Sequence, residues 1–229
     1  MSDQRRAQPS SGRGDRRIDF AAVASAHSDR YFAAVAELAQ ALDADAIDAM
    51  ARGLAALRDR GGRLFVLGAG GGAGHASHAV NDFRKLCEIE SYAPTDNVSE
   101  LTARTNDDGW ESTFRAWLET SRLGAEDAML VFSVGGGSRE HGVSVNIINA
   151  LELARERGSL VYGVVGAPGG ALAEAADVAV LVAPPADLRT PLVESFQAVV
   201  WHALVSHPVL ALHQGHWEAI SDRAAGRIL

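Results

Sequence analysis

Arg63-Leu64-Phe65-Val66-Leu67 runs directly into Gly68-Ala69-Gly70-Gly71-Gly72-Ala73-Gly74, and residues 75–85 follow at helical spacing. An apolar, β-rich run, a glycine loop and a helix make one strand–loop–helix unit. The unit recurs downstream. Residues 128–132 form a second buried strand, followed by the loop 133–138 and an amphipathic helix over 143–157 that Gly158 ends. Residues 160–165 read as a strand, 166–170 as a loop and 171–175 as a short helix. Val178–Val182 is a strand closed by Pro184-Pro185, and a last helix spans 190–206 before Pro208. Strands that are apolar on both faces and alternate with helices predict an α/β domain, a parallel sheet with helices on both sides in three layers.

Upstream of this repeat the chain is rich in Ala and Leu. Phe20, Val23, Tyr31, Phe32, Val35, Leu38 and Leu42 recur at helical spacing, so residues 19–58 are expected to be helical. Asp43-Ala44-Asp45 marks a break, where either Asp43 or Asp45 can cap a second helix. These helices are too apolar to stand free and should cover the sheet or another subunit. Residues 1–17 carry Arg5, Arg6, Arg13, Arg16 and Arg17 among Ser, Gly, Pro and Asp. Such a stretch buries too little to offset its ordering entropy and is expected to be a disordered tail.

The 229 residues suit one such domain with a helical extension, residues 18–229. A net charge of −8 argues against a nucleic-acid platform, which needs a basic face. It leaves room for a small anion, because loop amides and helix N-termini bind one without net positive charge. The lone cysteine, Cys87, cannot form an internal disulfide, and a reducing compartment is the simplest reading. No apolar run reaches the ~18 residues of a membrane span, and the N-terminus has no signal-like apolar core. A soluble cytoplasmic protein is expected.

Ligands of a parallel α/β sheet sit beyond the carboxyl ends of its strands, so the loops there carry the chemistry. Gly68, Gly70 and Ala73 fit the dinucleotide pattern G-x-G-x-x-A, with Glu88 or Glu90 at about the right distance for a ribose. A plain tight turn fits equally. The loop Ser133-Val134-Gly135-Gly136-Gly137-Ser138 favours a phosphate, because two hydroxyls flank amides that can point at one anion. On the helix after the first loop, His78 and Asp82 are four apart and share a face, fit for a divalent metal or for a surface ion pair. His75 lies one turn earlier and reads as a spare polar residue. The last helix carries Glu194, Gln197 and His202 in an otherwise apolar run, and buried polar groups need partners.

Taken together, these segments resemble the sugar isomerase (SIS) fold, and within it the phosphoheptose isomerases, over residues 19–207. The family loop Gly-Asn-Gly-Gly-Ser stands here as Gly68-Ala69-Gly70-Gly71-Gly72, and its His with Glu four later as His78 and Asp82. Its block Leu-Thr-Ala-x-x-Asn-Asp-x-Gly is matched by Leu101-Thr102-Ala103-Arg104-Thr105-Asn106-Asp107-Asp108-Gly109, the most specific stretch. Its Ser-Thr-Ser-Gly-Asn-Ser loop stands as 133–138, and its Gln with His eight later as Glu194 and His202. The chain departs in losing side-chain donors at Ala69, Gly72, Gly135 and Gly137, in the shorter Asp82, in the charged Glu194, and in a short insertion over 139–144.

The resemblance implies conversion of sedoheptulose 7-phosphate to D-glycero-D-manno-heptose 7-phosphate by a homotetramer with shared active sites. It implies Asp82 and His202 as catalytic groups. Ala69, Gly70, Gly71, Asn106, Asp107, Ser133, Val134, Gly135, Ser138 and Glu194 would bind substrate. A divalent metal, zinc by expectation, would be held by His78, Asp82, Glu194 and His202. Chemically, an enediol isomerisation needs a base at C1 and C2 and a second group to move the other proton, roles that suit a carboxylate and an imidazole. Asp82 as tight ligand and Asp82 as base compete. Glu194 and His202, about 12 Å apart along a straight helix, cannot easily reach one ion whose bonds are ~2 Å. Either the helix starts late or the two come from different chains. A catalytically silent sugar-phosphate-binding module and a nucleotide-dependent oxidoreductase remain as other readings.

Overall fold

The computed structural model describes residues 20–224; the Arg-rich residues 1–17 lie outside them. Fourteen elements matter here. In chain order they are α1 (Phe20–Ala41), α2 (Ala44–Asp59), β1 (Leu64–Gly68), α3 (Gly71–Cys87), β2 (Ser91–Tyr92), α4 (Val98–Asp108) and α5 (Thr113–Thr120). Then come β3 (Ala128–Ser133), α6 (Val145–Arg157), β4 (Leu160–Gly166), α7 (Gly170–Ala175), β5 (Val178–Val182), α8 (Arg189–Val205) and α9 (His216–Ala224).

All five strands run parallel in the order β2-β1-β3-β4-β5. Their side chains divide the core by the two-residue period of a strand. Leu64, Val66, Ala128, Leu130, Phe132, Tyr162 and Val164 face α1, α2, α3 and α8. Phe65, Leu67, Met129, Val131, Val161 and Val165 face α5, α6 and α7. The expected three layers are therefore present. At the amino end of the sheet, Asp127 accepts from the Arg63 backbone N–H at 3.0 Å, from Arg63 Nη2 at 2.7 Å and from Gly124 N at 3.0 Å. This ties β1 to β3 at their starts.

Asp43 is the N-cap of α2, its carboxylate accepting from Ala46 N at 3.0 Å. Of the two N-terminal helices, α2 packs on β5 and α8. By contrast α1 buries Ala34 and Leu38 and leaves Phe32 68% exposed.

Three sequence expectations need correction. The first helix of the repeat begins at Gly71, inside the glycine loop, rather than at residue 75. The two-residue strand β2 and helices α4 and α5 were not anticipated, since β2 is too short for an apolar run and α4 buries no residue. The helix over 190–206 is not the last, because α9 follows it.

Candidate active site

The strand order reverses direction between β1 and β3, which makes their carboxyl ends the crevice where such sheets bind ligands. Both glycine loops lie there. Gly68 is in register with Phe132, and a Cβ built on Gly72 would stand 3.0 Å from the Phe132 carbonyl oxygen. A Cβ on Gly68 would stand 2.3 Å from the Gly72 backbone, so β1 and the first turn of α3 touch through two glycines. Gly70 has φ +58° and caps α3 with no side chain, which leaves the helix N-terminus bare.

The second loop is tightly organised. Ser133 Oγ accepts from Gly136 N at 3.0 Å, so this buried hydroxyl holds the loop's shape and occupies the Gly136 amide that the sequence offers to a phosphate. The carbonyls of Gly136 and Gly137 accept from Leu172 N at 3.0 Å and Ala171 N at 3.3 Å, the first-turn donors of α7. Gly136 has φ +76°, and a Cβ there would fall 1.7 Å from the Gly169 carbonyl oxygen, a position only glycine fills. Ser138 pairs with Val143 through both backbone groups, and its Oγ accepts from His141 N at 3.3 Å. The insertion 139–144 is thus a closed turn hung on Ser138. Val134 O accepts from Gly166 N at 3.2 Å. Gly135 stays exposed at the crevice.

Glu194, on α8, lies at the first loop. Its carboxylate rests on Gly71, where an added Cβ would be 2.5 Å from Oε2. A carboxylate is favoured beside a helix N-terminus. The same charge repels a phosphate dianion brought to the first loop. His75, one turn along α3, is half-buried and edge-on to Phe132 at 6.5 Å. Burial holds its imidazole below the ordinary value, with Glu194 opposing and His78 and His202 adding to the fall. It is a site-facing residue rather than a spare one. Gln197, one turn beyond Glu194 on α8, is fully buried near Gly72, and its amide finds no side-chain or backbone partner.

Further down the same two helices the residues expected to do acid–base work meet. Ligand atoms of His78, Asp82 and His202 all lie within 4.8 Å of one another. His78 Nε2 is 3.8 Å from Asp82 Oδ2, and Asn81 donates to Asp82 Oδ1 at 2.8 Å. His202 Nδ1 lies 2.8 Å from the Ala198 carbonyl. A carbonyl only accepts, so Nδ1 carries the proton and Nε2 keeps its lone pair outward, the backing that a metal-binding imidazole commonly has. Buried Trp201 supports the cluster, its ring 4.6 Å from that of His78. Two imidazoles and a carboxylate within this span fit a small divalent ion such as zinc once the side chains close in.

Glu194 does not join them. It and His202 sit on one continuous helix, α8, which starts five residues before Glu194. The late-start explanation of their spacing is therefore excluded, and within one chain Glu194 belongs to the first loop. Asn106 and Asp107 stand apart as well. They are exposed near the end of α4 and hydrogen-bond each other at 2.7 Å, and neither bonds a glycine loop. The acidic residue of the dinucleotide pattern is misplaced too. Glu88 caps the far end of α3 and Glu90 precedes β2, so both lie at the opposite edge from the loop.

The chain matches the family model of the SIS domain over residues 30–166. It is 38% identical over 175 residues to the lincomycin biosynthesis protein LmbN of Streptomyces lincolnensis, covering 70% of this chain and 62% of that protein. The chain thus spans less than two thirds of that relative. It is 35% identical over 198 residues to the phosphoheptose isomerase of Bradyrhizobium sp. (strain BTAi1), covering 83% of this chain and 94% of that one. Among solved structures, phosphoheptose isomerase GmhA from Neisseria gonorrhoeae superposes with a TM-score of 0.69 at 26% identity, over 81% of this chain and 97% of that one. Two glycine loops at one switch point, the helices that follow them and these relatives agree: the chain belongs to the SIS-domain family, on its phosphoheptose isomerase branch.

Proposed function

We propose that the protein is an aldose–ketose isomerase of a sugar phosphate, converting sedoheptulose 7-phosphate to D-glycero-D-manno-heptose 7-phosphate. The observation that carries this reading is the presence of two glycine loops at the carboxyl ends of β1 and β3 together with a carboxylate–imidazole cluster on α3 and α8. The second loop, through Val134, Gly135 and Ser138, holds the phosphate and orients the open chain, which supplies much of the rate enhancement by positioning. Asp82 takes the C1 proton and returns it at C2. His202 moves the second proton between O2 and O1, its Nδ1 fixed by Ala198 and its Nε2 free to do so. A divalent ion, zinc by donor type, would be held by His78, Asp82 and His202 and would polarise the carbonyl; it would take up the Asp82 carboxylate and His202 Nε2, so ion binding competes with the proton-transfer roles of these two groups.

One chain cannot complete this site. Gly72, which meets Phe132 at the head of the second loop, and Asp82 are ten residues apart, about 15 Å along α3. An open-chain heptose phosphate spans roughly 10 Å from C1 to phosphorus with zigzag single bonds of ~1.5 Å. The cradle of one chain therefore works with the acid–base cluster of another, in a homotetramer. This also gives Glu194 of one chain a route to the cluster of its neighbour. The exposed Phe32 on α1 and Val199 on α8 are apolar surface suited to such contacts. A cytoplasmic setting suits the buried free thiol of Cys87.

Incubation with sedoheptulose 7-phosphate in deuterated water tests the reading. New aldose carrying deuterium at C2 is expected. Tight binding with no turnover of any sugar phosphate would replace it by a silent binding module.

A further inference from the structure

Beyond α8 the chain turns back over α2 and the far end of α3 and is fastened there. His207 Nε2 lies 3.2 Å from Asp48 Oδ1, and Arg58 Nη1 donates to the Leu210 carbonyl at 2.8 Å. Leu212 N and His213 N both donate to the Leu86 carbonyl, at 2.8 and 3.0 Å, and His213 Nε2 meets Glu88 Oε1 at 2.6 Å. Leu210 is fully buried beneath this strap. Anchored at so many points, the segment presents α9 in one place.

That place is the open side of the acid–base cluster. A cavity of about 730 Å³ has Asp82 and His202 on one wall and His213, Trp217, Glu218 and Ser221 on the other. Trp217 is 76% exposed although it is the largest side chain of α9. A large apolar ring left in an open cleft beside reactive groups is the composition of a ligand wall, an aromatic face with a few oriented polar atoms. A sugar carbon chain has the matching chemistry, with C–H bonds for an indole face and hydroxyls for a carboxylate and a serine. Ser221 Oγ donates to the Trp217 carbonyl at 3.0 Å, which leaves its lone pairs to accept from a hydroxyl.

We propose that α9 is the specificity wall of this site, with Trp217 stacking on the hydroxyl-bearing carbons next to the reacting carbonyl and Glu218 and Ser221 pairing with their hydroxyls. The proposal rests on the sugar-phosphate reading. It adds recognition by a segment outside the strand–loop–helix repeat.

Calorimetric titration of the full chain with sedoheptulose 7-phosphate and, separately, with inorganic phosphate tests it. Trp217→Ala should weaken the sugar phosphate about tenfold and leave inorganic phosphate unchanged. Trp217→Phe should keep most of the affinity, and Glu218→Gln should lose less than Trp217→Ala. The exposed ring makes an unchanged melting temperature the expected control. Sugar-phosphate affinity within twofold of wild type in Trp217→Ala overturns the wall. An equal loss for inorganic phosphate also overturns it, because the residue would then act on the cradle. Wild-type protein that binds inorganic phosphate but no sugar phosphate defeats the isomerase reading itself, and this proposal with it.

Discussion

Glu194 resting on Gly71 makes one substitution informative out of proportion to its size. In Gly71→Ala the new Cβ stands 2.5, 2.6 and 2.8 Å from Oε2, Cδ and Oε1 of Glu194. Ordinary separations are ~3.5 Å, so the carboxylate must retreat by about 1 Å. The obstacle is the end of a flexible side chain, so the fold is not strained. Alanine is also the better helix former by up to ~1 kcal/mol at the first residue of α3. The melting temperature should hold or rise by roughly 0–4 °C. If Glu194 acts in the reaction, a displacement of that size lowers kcat/KM by about 10- to 100-fold. Gly68→Ala is the contrast, because its Cβ falls 2.3 Å from the Gly72 backbone, which cannot step aside. That variant should lose on the order of 1–3 kcal/mol of stability. Kinetics with sedoheptulose 7-phosphate beside thermal melts of both variants decide the matter. Gly71→Ala with wild-type kcat/KM refutes a role for the Glu194 position, and Gly71→Ala melting as low as Gly68→Ala refutes the geometric reasoning.

Ser138→Asp should keep the fold, since an aspartate oxygen can still accept from His141 N, and should weaken sugar-phosphate binding at least tenfold by charge repulsion; unchanged affinity in a titration would move the cradle elsewhere. Because Asp82 and His202 meet within one chain, the informative mixture pairs a cluster variant with a cradle variant. Asp82→Asn co-refolded with Ser138→Asp should recover about a quarter of wild-type activity if sites are shared pairwise and mixing is random, and no recovery in a proven tetramer returns both to one chain. His78→Ala should cut bound zinc measured by elemental analysis and abolish the rise in melting temperature that zinc gives wild type, which at a hundredfold excess over Kd amounts to ~2.7 kcal/mol. Burial pushes the Cys87 thiol up to about 11, so a thiol reagent at pH 8 should label it only as fast as the protein unfolds; rapid labelling of the native chain would contradict its packing against the Val205 carbonyl.

The α/β class, the parallel sheet and the position of both loops were legible because each rests on local pattern. Apolar runs such as Val178–Val182 and breaks such as Gly158 state their conformations within a few residues. The pair His78 and Asp82 was legible for the same reason, being one helical turn apart on one face. Where pattern was weak the reading failed. Residues 71–74 read as loop because glycine is a poor helix former, yet Gly72 packs closely against Gly68 of β1 and the Phe132 carbonyl, and the helix forms regardless. What only the tertiary structure decided is which distant residues meet. The parallel packing of α3 on α8 sets Glu194 against Gly71 and His202 against His78 and Asp82, so residues that the family pattern groups in one ligand set divide between the two ends of a helix pair. The strap from His207 to His213 was equally invisible, because its fastening is to Asp48, Arg58, Leu86 and Glu88, more than a hundred residues earlier. A one-dimensional pattern encodes conformation over a turn or a strand. Contacts at such separations follow from how whole elements pack, and that is where the site is assembled.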